Sequence, residues 1–377
     1  MKVMLSGNEA IARGFYEAGG AFASAYPGTP STEILENIGL YKEIQAQWAP
    51  NEKVALEVTG GAALGGVRSL AAMKHVGLNV AADPFFSLSY QGTTGGIVII
   101  SADDPSMHSS QNEQDNRWYA KSAKIAMLEP ADSMEAKLFV IKGLQISEQF
   151  DTPVLIRTTT RINHSKSIVE LGERQQIEAK PYQKNMSKNV LLPANARKKH
   201  VEVEARLQKL AEFGNITDLN RIEWGDKNLG IITSGISYQY AKEVFPKASI
   251  LKLGLTNPLP QKLIREFAAK VKTLYIIEEL DPFLEEQIRA MGIEVDGKNK
   301  LPIMGELNTD IVAKSFGLED STEKSALSDE VPIPARPPVL CPGCSHRGVF
   351  YVMKRLKLTI TGDIGCYTLA ALPPLET

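Results

Sequence analysis

Cysteine is scarce in this 377-residue chain: there are three, Cys341, Cys344 and Cys366, all in the last tenth. Three clustered thiols exclude a disulfide framework and direct attention to metal or redox chemistry. Long apolar runs are missing too. None approaches the roughly 18 residues that a membrane-spanning helix needs. The opening MKVMLSGNEA turns polar too soon after Leu5 for a secretory signal. Charge of one sign is also lacking, since 42 basic and 44 acidic residues leave a net charge of −2. That balance removes the electrostatic case for nucleic acid or a membrane surface as partner.

What is present reads as an ordinary globular composition, 43% hydrophobic and 23% charged. Over residues 1–165 short apolar runs alternate with helical patterns. Strands are expected at 21–26, 97–101 and 154–158, and helices at 31–38, 54–73 and 134–148. The continuous apolar runs VIIS and VLIR suit a parallel sheet covered on both faces. The fold class is therefore α/β, parallel sheets flanked by helices. Residues 166–225 are polar and read as a linker with one helix at 200–213. Alternation returns over 226–318, with strands at 229–233, 250–253 and 273–278. The charged and then proline-rich stretch 319–338 reads as a second linker. Residues 339–377 read as the start of a third domain, too short to bury a core alone.

Four stretches could carry chemistry. In AYPGTPSTEI, Pro30 is placed at the first helical position with Thr29 as N-cap, where amides and the helix dipole face an anion. The plain alternative is an ordinary capped helix. In NEKVALEVTGGAALGGVRS, Glu57 sits among Gly60, Gly61, Ala62, Ala63, Gly65 and Gly66. Each glycine costs a helix about 1 kcal/mol relative to alanine, which makes sense where a backbone or a flat ligand must come close. A carboxylate on such a face would be desolvated and suited to share a proton with a ring nitrogen. The alternative is a solvent-facing glutamate on a helix packed against a second subunit. SADDPSMHSSQNEQDNR places His108 near Asp103 and Asp104, but at no standard metal spacing. It reads as a polar loop at a strand's C-terminal end, facing either ligand or solvent. Cys341-x-x-Cys344 with Cys366 is compatible with zinc, a redox dithiol or an iron–sulfur cluster. Three sulfurs are one ligand short of a closed site, and His346 is the local candidate for zinc. GDIG, from Gly362 to Gly365, is a glycine-rich strand end of the kind that meets a phosphate.

The stretches LSGNEAIARGFYEAG, AYPGTPSTE, AMKHVGLNVAADP, ADDPSMHSSQNEQDNRWYA, EELDPFLEEQI, CPGCSHR and GDIGCYTLAALPPL closely resemble the large α subunit of the indolepyruvate:ferredoxin oxidoreductases, a branch of the 2-oxoacid:ferredoxin oxidoreductases. The resemblance runs over nearly the whole chain, in the family's order. It implies thiamine-dependent oxidative decarboxylation of aryl pyruvates to aryl-acetyl-CoA, with two electrons passed through 4Fe–4S clusters to ferredoxin. Residues 1–165 resemble the pyrimidine-binding domain, 226–318 a transketolase-C-terminal-like domain, and 339–377 the opening of the diphosphate-binding domain. Glu57 falls on the glutamate that hydrogen-bonds the aminopyrimidine ring, and Thr29 on a threonine near the substrate carboxylate. Cys341, Cys344 and Cys366 fall on cluster-ligand positions of related branches. Gly362, Asp363, Ile364, Gly365 and Cys366 fall in the loop that approaches thiamine diphosphate. A smaller β subunit, ferredoxin, CoA, self-association and an anaerobic cytoplasm are implied with them.

In one respect the sequence departs from that pattern. Members continue for roughly another 200 residues, a domain-sized length. There they carry the residues that bind the Mg2+ anchoring the diphosphate, and the cysteines of two further clusters. The chain is therefore expected to be a fragment or split gene product, inactive alone. The alternatives are the same chemistry on another 2-oxoacid, or a non-catalytic remnant.

Overall fold

The computed structural model describes residues 1–318, 338–362 and 364–377. The chain divides into two compact units, Met1–Glu319 and Asp320–Thr377. In the first, seven strands alternate with helices: β1 (Lys2–Ser6), β2 (Phe22–Ala25), β3 (Gln45–Trp48), β4 (Ser69–Lys74), β5 (Ile97–Asp103), β6 (Ala126–Leu128) and β7 (Val154–Thr159). The helices between them are α1 (Gly7–Glu17), α2 (Thr32–Ile38), α3 (Glu52–Leu64), α4 (His75–Val80), α5 (Ala82–Gln91), α6 (Arg117–Ala123) and α7 (Ser133–Phe150). Polar side chains start three of these helices. Ser6 and Glu9 form a capping box on α1, Asn51 accepts from the Val54 amide on α3, and Asp132 accepts from that of Glu135 on α7.

Beyond β7 come β8 (Lys166–Glu170), β9 (Arg221–Glu223), β10 (Asp226–Ser234), β11 (Ala248–Leu253), β12 (Leu255–Asn257) and β13 (Thr273–Ile277). The main sheet has the order β12-β6-β7-β5-β4-β2-β3 and is parallel except for β12, which runs antiparallel to β6. A second sheet has the order β13-β10-β11-β9, with β9 antiparallel to β11. The stretch after residue 165 contributes more than a covering: β8 pairs antiparallel with β1, and the helix Pro193–Gly214 follows.

Strand periodicity decides where the core lies. Val98, Ile100, Val154 and Ile156 point to the face covered by α1 and α7. Ile97, Ile99 and Leu155 point to the opposite face, where they join Leu56 of α3, Phe85 of α5, and Ile232, Leu251 and Ile276 of the second sheet. The two sheets thus share one continuous apolar core.

The expected helix at 54–73 is corrected. It ends at Leu64, and Ser69–Lys74 is the fully buried interior strand β4. Gly66, at φ 97°, makes the break in a conformation that side chains resist. In the second unit a helix, Ser345–Arg355, precedes a short 3-10 turn, Cys366–Ala371. Leu340 and Ala370 are buried within it, and most of its other described side chains are exposed. Among the described residues no helix is long and apolar enough to cross a membrane.

Candidate functional site

In a parallel sheet the C-terminal strand ends leave an edge of loops and helix starts suited to ligands. Here that edge gathers the turn after β2, the start of α3 after β3, Lys74 and His75 at the end of β4, the loop after β5, and Thr160 after β7. Thr29 is exposed on the first of these, and its bond to Pro30 is cis. The helix does not start at Pro30 as the sequence suggested. The Gly28 carbonyl accepts from both the amide and the hydroxyl of Ser31, and the Gly28 amide donates to Thr32 Oγ1 at 2.9 Å. These bonds close a turn first, so α2 begins at Thr32. Asn8 braces the turn from below, donating to the Pro30 carbonyl at 2.8 Å and to Glu33 at 3.0 Å, while Asn163 donates to Asn8.

Glu57 lies on the second turn of α3 with its side chain 51% exposed, 3.9 Å from Lys53, which itself reaches Asp83 at 3.0 Å. The desolvation expected from its small neighbours is not found in this chain. Gly61 and Gly65 face solvent, and a Cβ added at Gly61 would meet nothing within 4 Å. A cleft of about 270 Å³ opens there, lined by Leu56, Glu57, Gly60, Gly61, Leu64 and Leu88 among others. Its shape is a shallow, largely apolar cradle with two carboxylates, Glu57 and Asp83, in its lining. An aminopyrimidine ring asks for that chemistry: a flat surface without side chains in the way, and an acid able to share a proton with a ring nitrogen. The residues present fit such a ring.

Lys74 and the loop after β5 form a second cluster on the same edge. The Lys74 ammonium donates to the Ser109 carbonyl at 2.6 Å, and its stem packs under Gly28, where an added Cβ would lie 3.1 Å from Lys74 Cβ. Burial lowers its pKa, against the pull of Asp104. Asp104 accepts from the Ser109 amide, the Ser110 hydroxyl and the Thr160 hydroxyl. Those bonds hold it ionised below the usual carboxylate range in spite of burial. His75 is fully buried with Nε2 against Asn112, and its Nδ1 has no partner among the described residues. His108 pairs with Glu306 at 3.4 Å, not with Asp103 or Asp104. Asp103 instead accepts from Arg157 at 2.8 Å deep beneath the loop.

The three cysteines are not gathered. Cys341 and Cys366 are exposed, Cys344 is half-buried with Sγ 3.5 Å from Nδ1 of His346, and among the described residues no group of three His, Cys, Asp or Glu side chains is placed to hold a metal. In this arrangement the thiols do not fit a cluster. Gly362, Ile364 and Gly365 are exposed beside Cys366, and Gly365 donates to Thr368 at 3.1 Å. Asp363 lies outside the described residues. Lys74, Thr160 and Asn8 were not singled out from sequence, because no spacing pattern marks residues that only the sheet edge brings together, and Asp104 was noted only as a neighbour of His108.

The family model described as pyruvate flavodoxin/ferredoxin oxidoreductase, thiamine diphosphate-binding, matches residues 13–210, more than half of the chain. The chain belongs to that family. Its relatives include the indolepyruvate oxidoreductase subunit IorA of Archaeoglobus fulgidus, 42% identical, with 100% of this chain and 65% of the relative covered. The same subunit from Pyrococcus horikoshii is 41% identical and 63% covered. This chain thus spans about 65% of the length of the curated relatives it matches. Among solved structures, the 2-oxoglutarate:ferredoxin oxidoreductase of Magnetococcus marinus superposes with a TM-score of 0.69 at 18% identity, over 84% of this chain and 65% of the other. That likeness carries the α/β fold.

Proposed function

We propose that this chain serves a thiamine-dependent oxidation of aryl 2-oxoacids, with release of CO2, transfer of the acyl group to CoA and passage of two electrons to ferredoxin. The observation that carries this reading is Glu57 at the rim of the glycine cradle on α3, in a chain of the thiamine-binding family. When bound, thiamine diphosphate supplies the electron sink for loss of CO2 from a 2-oxoacid. Glu57 holds and exchanges a proton at the aminopyrimidine ring, while Leu56, Gly60, Gly61 and Leu88 receive its flat face. Thr29, exposed on the braced turn, offers its hydroxyl to the substrate. The indolepyruvate name of relatives at 42% and 41% identity supports an aromatic substrate. The smaller β subunit is the expected partner.

The test is an anaerobic assay of the assembled enzyme, in which this chain is joined by the remaining length that its relatives have and by the smaller subunit. It follows CoA-dependent reduction of ferredoxin with indolepyruvate, phenylpyruvate, pyruvate and 2-oxoglutarate in turn. Aryl pyruvates are expected to react with a kcat/KM about tenfold or more above the others. A preference for 2-oxoglutarate or pyruvate would replace the aromatic assignment, and no reduction with any 2-oxoacid would remove the reaction itself.

A further inference from the structure

A buried cation without a counter-charge is costly, and proteins retain one where a ligand completes it. Lys74 is such a group. Only 8% of the residue is exposed, and its ammonium carries three N–H donors, of which one is engaged, by the Ser109 carbonyl. Among the described residues no carboxylate lies within salt-bridge distance of it. The nearest acid in its field, Asp104, spends its oxygens on the Ser109 amide, the Ser110 hydroxyl and the Thr160 hydroxyl. Among the described residues two donors are therefore left for something else.

The position says where that something enters. Lys74 ends the interior strand β4, next to the central β5, at the ligand-bearing edge of the sheet. Its stem runs under Gly28, whose missing side chain lets the Gly28–Thr29 turn lie directly on it. The stem is thus covered by the β2 turn, and the ammonium is held from the 104–112 loop by the Ser109 carbonyl. The loop is itself pinned: Glu113 accepts from the Ser106 and Gly305 amides, and Ser106 Oγ accepts from the Glu306 amide. A fixed ammonium, on a stem packed beneath the turn that carries the exposed Thr29 hydroxyl, matches a small carboxylate through a charge-assisted bond.

We propose that Lys74 is the residue that recognises the carboxylate of the 2-oxoacid, with Thr29 as its neighbour in the same subsite. The assignment rests on the 2-oxoacid reading above. It makes Lys74 a determinant of acid over neutral analogue, and the aryl group plays no part in the contact.

The experiment titrates the full chain with phenylpyruvate and with its uncharged ethyl ester, for the wild type, Lys74→Gln, Lys74→Met and Lys74→Arg. Circular dichroism and melting temperature report the fold of each. Wild type is expected to prefer the acid. Lys74→Gln and Lys74→Met should lose affinity for the acid by about tenfold or more with the ester unchanged, and Lys74→Arg should keep part of the preference. An undiminished acid preference in either neutral variant that folds overturns the assignment. Thiamine diphosphate is titrated into the same proteins. Acid binding that depends on Lys74, in a protein that takes no thiamine diphosphate even when joined by the remaining length its relatives have, leaves this assignment standing and removes the thiamine reading. Thiamine binding that depends on Glu57, with acid preference indifferent to Lys74, does the reverse.

Discussion

Beneath the candidate site lies an unusual concentration of buried charge. Asp103, Asp115, Glu129, Glu278 and Glu279 are all nearly or fully inaccessible, and they face Arg117 and Arg157, with Lys298 at the margin. Acids outnumber bases, and burial raises Glu278 and carries Glu279 up to about 7, against the pull of the arginines. The sign of the consequence follows from proton counting. Between the ordinary glutamate value of 4.5 and about 7, the folded chain holds a proton on Glu279 that the unfolded chain has released. Stability therefore falls as pH rises through that window, by at most about 3 kcal/mol. Glu279→Gln keeps the acceptor for the Leu307 amide and should flatten this fall, measured as urea midpoints at pH 5 and pH 8. A slope equal to that of the wild type would place the proton elsewhere. Arg117 holds Asp115 through three bonds of 2.6–3.0 Å and Glu278 through one of 2.5 Å. Arg117→Met strands both carboxylates and should cost about 3–5 kcal/mol in the same measurement. Of these residues the sequence drew attention to Asp103 alone, as one of several polar residues after a strand. Their burial and most of their pairing come from separate chain segments, 28, 54 and 161 positions apart for Arg157–Glu129, Arg157–Asp103 and Arg117–Glu278, so no local pattern announces them. Glu57 was legible because its oddity, a glutamate among glycines on a helix, is local.

At the scale of elements, α3 shows what the glycines do. Gly60 is close-packed: an added Cβ would come 3.1 Å from Leu88 Cδ2. Gly61 is not, so its lack of a side chain has no explanation within this chain and fits a ligand or partner surface laid over it. Gly61→Ala should therefore raise the melting temperature, with a gain of up to about 1 kcal/mol from helix propensity. It should at the same time weaken thiamine diphosphate binding by crowding the cradle. A gain in stability with no change in binding would show that the cradle is not used. Elements with a strong period or a clear boundary, such as β5, β7 and α7, were visible in the sequence. β4 was not, because SLAAMK follows a Gly- and Ala-rich helix after the short link 65–68, whose left-handed Gly66 makes the break. The start of α2 was displaced for a related reason. Proline after threonine looks like a helix start, and the competing Gly28–Ser31 turn cannot be seen in residue types.

At the scale of the molecule, β12 decides the organisation. It comes from the 226–318 stretch yet pairs with β6 at the edge of the main sheet, and Asn257 on it donates to the Ala120 and Ile125 carbonyls. With the core continuous between the two sheets, residues 1–318 should unfold cooperatively in a single transition. Asn257→Ala removes the side-chain donor from the Ile125 carbonyl, while that of Ala120 keeps the Ile125 amide, and should lower stability by about 1–3 kcal/mol without splitting the transition in calorimetry. Two resolved transitions would mean that the sheets are independently stable. Alternation in the sequence gave the α/β class, but a three-residue strand crossing between sheets carries too little pattern to read.

The central claim, that α3 receives the ring of thiamine diphosphate, is tested most directly by anaerobic titration calorimetry. Thiamine diphosphate with Mg2+ is added to the full chain and to Glu57→Gln. Binding by the wild type, weakened about tenfold or more in a variant of unchanged fold, is the result expected. Equal affinity in both proteins would contradict it.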